Sequence, residues 1–229
     1  MLITVCLAVW NEENSVAESI RSTKAYADRF VVIDSAFLTN PAPGTHSTDR
    51  TREVCERVCH PVPLTYIESP VRLAEQEARN LYMDEVAEGD WVFVIDGDEV
   101  LYGDHKVMVK FFNRVRSGKM TTAVTIPVYT TAVLFNGSAM DMDADTYVTA
   151  PTVNSRGWQP RLFANRPALR YRVNAYGVPH GVYDGDGVFV GRGAIRANAL
   201  FIVNHHVRQA HASYQNDYVW ETEARKIGP

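Results

Sequence analysis

The sequence has only three cysteines, Cys6, Cys55 and Cys59. An odd count without a spaced framework excludes a disulfide-stapled scaffold and predicts a reducing compartment. Cys55-x-x-x-Cys59-His60 lacks the fourth ligand and the tighter spacing of a structural zinc site, so it reads as one face of a helix. No apolar run reaches the length of about 18 residues that spans a bilayer. The first nine residues have no basic start and no small-residue cleavage site, and they run straight into Trp10-Asn11-Glu12-Glu13. No signal peptide is expected; the expected location is cytoplasmic, with a peripheral membrane association left open. A basic excess is also missing: 23 Lys and Arg face 27 Asp and Glu, for a net charge of −4, which argues against a dedicated nucleic-acid binder. One local cluster, Arg156, Arg161, Arg166, Arg170 and Arg172, is dense enough to neutralise a phosphate-bearing ligand, or else forms a solvated face. Internal repeats and low-complexity tracts are absent.

What is present fits an α/β fold. The 229 residues are 46% hydrophobic and 22% charged, enough for one sizeable core. Residues 3–9, 30–33 and 91–95 are apolar runs that read as buried strands, with a shorter one at 64–67. Helical patterns alternate with them. Ser15-x-x-Glu18 matches a capping box and predicts a helix over 15–27. Ser47-Thr48-Asp49 predicts the cap of a helix reaching 59, and further helices are expected over 72–87 and 104–117, the last stopped by Gly118. Alternating strands and helices imply a parallel sheet covered on both faces. Beyond residue 120 the pattern becomes mixed: β-rich over 121–135, a polar loop over 136–154, short strands at 161–164, 168–173 and 200–204, and a helix over 207–227. One domain, 1–229, is expected, with a ligand-binding half (1–120) and an irregular second half (121–229).

Ligands of open α/β sheets bind beyond the carboxyl ends of the strands. Three of these ends carry polar or acidic residues: Asn11-Glu12-Glu13, Asp34 and Asp96-Gly97-Asp98. Acids placed only for solubility belong on helix faces rather than at the tips of buried strands. Asp96 and Asp98, two residues apart, project to one side of an extended chain. Gly97 between them admits a close approach to the backbone. Two hard oxygen donors suit Mn²⁺ or Mg²⁺, with phosphate oxygens completing the shell. Taken alone, the pattern describes no more than an acidic turn.

In order along the chain, Ile3 through Glu13, Val31-Val32-Ile33-Asp34-Ser35, Ser47-Thr48-Asp49-Arg50-Thr51, Ala78-Arg79-Asn80 and Asp90 through Glu99 resemble the motifs of family-two glycosyltransferases of GT-A fold. The nearest resemblance is to the branch of lipopolysaccharide-core glucosyltransferases, in which Asp-x-Asp-Glu follows Gly-Asp-Trp. Pro160-Arg161-Leu162-Phe163 and Val178-Pro179-His180 are similar to later motifs of that branch. The resemblance implies a nucleotide-diphosphate-sugar donor, a UDP-sugar in the first instance, and a divalent cation. It implies that Val9, Asn11 and Glu12 border the nucleoside and that Asp34 meets the base. Arg79 would steady the donor, unless it forms only a helix-surface pair with Glu75. Asp96 would lie near ribose and metal, Asp98 would bind the metal directly, and His180 would be a late metal ligand or phosphate contact. Two departures stand out. An insertion carrying Pro41, Pro43 and His46 separates Asp34-Ser35 from Ser47, and Gly181 stands where the branch often has Glu after the late His.

If the family's usual inverting displacement applies, an acceptor hydroxyl needs a general base. Asp184 and Glu99 are the candidates, ahead of Asp141, Asp143 and Asp145. A nucleotidyltransferase is the first alternative, although it wants a Gly-rich basic loop after the first strand. A non-catalytic module that binds sugar nucleotides is the second. The acceptor stays open among a glycan, a lipid carrier, a protein and a modified nucleic acid.

Overall fold

The computed structural model describes residues 1–38, 44–120, 123–132, 155–173, 181–191, 194–197 and 200–206. The expected polar loop over 136–154 and terminal helix over 207–227 lie outside these residues. The elements run β1 (Ile3–Val9), α1 (Val16–Lys24), β2 (Arg29–Asp34), α2 (Thr51–Cys59), β3 (Leu64–Glu68), α3 (Glu75–Glu85) and β4 (Trp91–Val94). They continue with β5 (Glu99–Gly103), α4 (His105–Arg116), β6 (Val124–Ala132), β7 (Ser155–Ala164), β8 (Arg170–Arg172), β9 (Gly181–Tyr183), β10 (Ile195–Arg196) and β11 (Leu200–His206).

One sheet has the order β3-β2-β1-β4-β7-β6-β11-β5, with β10 paired to β6. β3, β2, β1 and β4 are mutually parallel. β7 enters antiparallel between β4 and β6, and β11 returns parallel to β6 with β5 antiparallel on its far side. Strands from both halves of the chain therefore share the sheet. β8 and β9 form a separate two-stranded ribbon.

Alternation along the inner strands decides which helix packs where, because successive side chains of a strand point to opposite faces. Ile3, Val5, Leu7 and Val9 of β1, with Phe30, Val32, Trp91 and Phe93, meet Val16 and Ile20 of α1, Cys55 and Cys59 of α2, and Met108, Phe112 and Val115 of α4. Cys6, Val31, Ile33, Val92 and Val94 face the other way, onto Ala78, Tyr82 and Met83 of α3 and Tyr171 of β8. The two-sided burial explains why these strands read as unbroken apolar runs. Cys55 and Cys59 are free, buried core residues, as one helix face requires.

Three local expectations are corrected. Ser15 precedes α1, but its side chain caps nothing; its hydroxyl donates instead to the Glu12 carboxylate, so the matched capping box does not form. β5 fills residues left unassigned by pattern, because its partner β11 lies about a hundred residues further on. β7 spans ten residues where four were expected. At α4 the stop is as expected, Gly118 following the helix with a φ of 71°, and Asp104 caps its start by accepting from the Val107 N–H at 3.0 Å. Among the described residues no helix is long and apolar enough to cross a membrane.

Candidate functional site

Register brings the strand tips level. Val9 pairs with Asp34, and Asp34 with Glu68. On the other side of β1, the Ile95 N–H donates to the Cys6 carbonyl, so Asp96 emerges beside the same edge. The chain leaves β1 through Asn11, whose φ of 53° is left-handed, a conformation that asparagine tolerates better than most residues. Three successive amides then donate to side chains of the segment before α2: Asn11 to Ser47 Oγ at 2.8 Å, Glu12 to Thr51 Oγ1 at 2.7 Å and Glu13 to Asp49 Oδ2 at 3.1 Å. Asn11 Oδ1 accepts in return from the Thr48 N–H at 2.9 Å. Asp49 Oδ1 also accepts from the Thr51 N–H at 3.0 Å, which steadies the start of α2. Ser47 through Thr51 thus act on the loop after β1 as well as on their own helix.

Asp34 is only 1% exposed. Its Oδ1 accepts from the Ser47 N–H and hydroxyl, both at 2.8 Å, and its Oδ2 accepts from the Tyr66 hydroxyl at 2.8 Å. Burial pushes the carboxyl above its ordinary range, and these hydrogen bonds pull against that rise. Burial and the Asp34 charge together raise the Tyr66 phenol. Arg52 lies over the Tyr66 ring at 5.4 Å and pairs with Glu68 at 3.1 Å. The insertion is anchored close by. Ala36 N–H donates to the Thr45 carbonyl at 2.8 Å, Leu38 N–H to the Leu73 carbonyl at 2.9 Å, and Arg72 Nε to the Gly44 carbonyl at 2.9 Å.

The densest electrostatics lie at the tip of β4. Arg79, 3% exposed, reaches from α3 to both Asp96 oxygens at 2.9 and 3.0 Å, and its Nε and terminal nitrogen hold Glu75 at 3.0 and 2.9 Å. Its guanidinium also lies 5.8 Å from the centre of the Tyr171 ring. Glu99, 1% exposed, accepts from the Asp96 N–H at 2.8 Å, and its own N–H donates to the Asp96 carbonyl at 3.0 Å. Its other oxygen accepts from Arg161 of β7 at 2.7 Å. Burial pushes the Glu99 carboxyl up to about 7, against the pull of the Arg161 charge. Asp98 is half-buried on the same turn.

Several sequence expectations change on this geometry. Arg79 is not a helix-surface partner of Glu75 but a buried cation shared by Glu75 and Asp96. Gly97 is enclosed by the protein: a Cβ there would come 3.0 Å from Val9 Cγ1 and 3.1 Å from Glu12 Cγ, and its carbonyl accepts from Ser19 Oγ at 2.9 Å. The glycine is needed for packing against the first loop. Glu99, expected as a candidate general base, is buried in an ion pair with Arg161. Asp184 holds a turn after β9, with Oδ1 accepting from the Asp186 and Val188 amides at 3.1 and 2.8 Å. His180, Asp141, Asp143 and Asp145 lie outside the described residues. The arginine cluster is not one patch, since Arg161 is buried and Arg170 pairs with Asp84 at 2.8 Å.

Sequence reasoning missed Asn80 as a positioning residue. Its amide donates to the Tyr171 carbonyl at 3.1 Å and accepts from the Tyr171 N–H at 2.8 Å, the pattern of a neighbouring strand. It docks the β8–β9 ribbon on α3 beside Arg79. The Asn80→Ala protein is expected to lose about 1–3 kcal/mol, the penalty for leaving such groups unpaired. Chemical denaturation reads this as an earlier midpoint at unchanged slope.

Among the described residues, no group of three or more His, Cys, Asp or Glu is arranged to hold a metal ion. Mg²⁺ and similar ions, however, are commonly held by one or two carboxylates plus substrate phosphates and water, without an all-protein cage. Asp98 at the turn fits that donor set. Asp96 fits it less well, because Arg79 already holds both of its oxygens.

The hydrogen-bonded acids thus lie at the carboxyl edge of the parallel strands β1, β2 and β4, where ligands of open α/β sheets bind. The family described as glycosyl transferase family 2 matches residues 4–118, half of the chain, and the protein belongs to it; the fold is the α/β GT-A fold. No curated protein sequence matches the chain closely. Among solved structures it is similar to S. aureus TarS 1-349 in complex with UDP-GlcNAc, at 19% identity and a TM-score of 0.43 over 72% of this chain and 46% of that one. It is also similar to glucosyl-3-phosphoglycerate synthase from Mycobacterium tuberculosis in complex with Mn²⁺, UDP-glucose and phosphoglyceric acid, at 22% identity and a TM-score of 0.39 over 56% of this chain and 43% of that one. The chain spans less than half the length of either.

Proposed function

We propose that the protein is a glycosyltransferase that moves a sugar from a nucleoside-diphosphate sugar, a UDP-sugar in the first instance, to an acceptor hydroxyl with inversion, using Mn²⁺ or Mg²⁺. The observation that carries this reading is the Asp96–Glu99 turn, held rigid by Arg79 at the sheet edge within the family-matched region. A carboxylate offers about four acceptor positions, so an imide N–H of the base can join the three donors already on Asp34. Val9, Asn11 and Glu12 border the nucleoside beside it. Asp98, with His180 by resemblance, holds the cation against the donor diphosphate. When bound, the cation supplies positive charge to the departing phosphate, a contribution of several kcal/mol. Arg79, bonded to both of its oxygens, orients Asp96 toward the ribose. The Asp-x-Asp-Glu that follows Gly89-Asp90-Trp91 supports the lipopolysaccharide-core-like branch.

The nucleotidyltransferase reading loses support at the first loop. A triphosphate cradle needs a run of backbone N–H groups pointing at the ligand. Here the amides of Asn11, Glu12 and Glu13 are all committed to Ser47, Thr51 and Asp49.

A thermal-shift panel of nucleotide sugars with Mn²⁺ tests the proposal. At a hundredfold excess over Kd, a cognate donor adds about 2.7 kcal/mol of apparent stability. For a chain of this size that is a rise of roughly 5–10 °C. A panel in which no nucleotide sugar moves the transition overturns the reading.

A further inference from the structure

Arg161 lies far from the donor-binding motifs in sequence, on a strand that enters the sheet in the second half of the chain, yet its side chain is 95% buried against the β4 tip: 5% is exposed. An arginine carries five N–H donors and a permanent charge, and burying one is costly unless carboxylates surround it. Its terminal nitrogens reach Glu99 at 2.7 Å and come within 3.8 Å of Asp96 Oδ2, while its Nε has no partner among the described residues. Glu99 in turn receives the Asp96 N–H on the oxygen that Arg161 does not hold. The carboxylate is thus fixed at both oxygens, and it closes the turn that presents Asp98. From the α3 side, Arg79 grips the Asp96 side chain, so two guanidiniums balance the acids of this turn from two different elements.

We propose that Arg161 is a positioning residue for the donor diphosphate. Acting through Glu99, it fixes the backbone of the Asp96–Glu99 turn and sets where the Asp98 carboxylate stands. The inference rests on the functional reading above. It assigns to the second half of the chain a role in donor binding, which the strand-tip acids alone would place wholly in the first half. Outer partners that orient metal-binding carboxylates typically govern about 10–100-fold in affinity or activity.

Removing Arg161 alone would leave a buried, unpaired carboxylate and risks misfolding. The test is therefore the double variant Arg161→Met with Glu99→Gln. It removes both buried charges and keeps an acceptor for the Asp96 N–H; Gln conserves the size of Glu, and Met keeps an unbranched apolar stem in place of that of Arg. UDP, GDP, CDP and dTDP are titrated by calorimetry into the unaltered chain and into the variant, each with Mn²⁺, and melting temperatures are recorded alongside. Binding of the cognate diphosphate is expected to weaken by at least about tenfold, while the melting temperature stays within a few degrees. Arg161→Lys, which restores one charge to Glu99, is expected to fall between the two. A double variant that binds as tightly as the unaltered chain overturns the positioning role and leaves the functional reading standing. An unaltered chain that binds none of the four diphosphates overturns the functional reading and this inference with it.

Discussion

Asp98→Asn is expected to lower sugar transfer by about a hundredfold or more, with little change in melting temperature. The substitution keeps the size of the side chain and removes its charge, on a half-buried turn whose backbone is held by Glu99 and Asp96. If Asp98 holds the cation that stabilises the leaving diphosphate, its loss raises the barrier by about 3 kcal/mol, the equivalent of that factor in rate. Steady-state release of nucleoside diphosphate at saturating donor checks it. Full turnover by the variant, or full turnover of the parent protein in excess chelator, removes Asp98 from the mechanism.

Arg79→Met is expected to cost stability and donor binding together. It leaves Asp96 and Glu75 facing each other without the buried cation that both contact. Breaking a buried pair from one side costs about 3–5 kcal/mol. In a chain of this size that lowers the melting temperature by roughly 10 °C. Arg79→Lys is expected to recover only part of the loss, since a point charge does not reproduce the fork that spans two carboxylates. A helix-surface ion pair would be worth well under 1 kcal/mol. A shift of a degree or less on Arg79→Met would therefore return the residue to that bland role.

The contrast between Arg79 and Arg161 shows what was legible in the sequence. The parallel strands were readable because burial on both faces makes β1, β2 and β4 continuous apolar runs, and the acids at their ends interrupt those runs where the chain leaves the core. Arg79 was legible as a member of an ordered motif, but its burial was not. The sequence pairs it with Glu75 four residues earlier, whereas its contact with Asp96 depends on how α3 lies across the sheet. Arg161 reads as one of five clustered arginines and as part of a motif resembling the family's, with no role attached to it. The available signal was its place in Arg161-Leu162-Phe163, a charge among buried residues of a strand, which calls for a carboxylate partner. Glu99, the residue after Asp98, is that partner. β5 was illegible for a related reason: its five residues carry no strong alternation, and β11, which pairs with it, is remote in sequence. Ser15 marks the opposite error: it matched a capping pattern, and a nearer hydrogen bond, to Glu12, claims it.

The segment between Ser35 and Ser47 is anchored at both of its described ends. Ser47 still reaches Asp34 with both its amide and its hydroxyl. The feet of the insertion are stitched to residues 72 and 73, just ahead of α3. The helix that carries Arg79 is thereby tied to the loop that frames Asp34, and the base and phosphate ends of the proposed site share one rigid support.

The most direct test of the central claim is a crystal structure of the protein with UDP and Mn²⁺. The account predicts the base against Asp34, the ribose beside Asp96, and the cation between Asp98 and the diphosphate. A nucleotide bound elsewhere on the molecule, or a diphosphate at the sheet edge with no contact to Asp98, would contradict it.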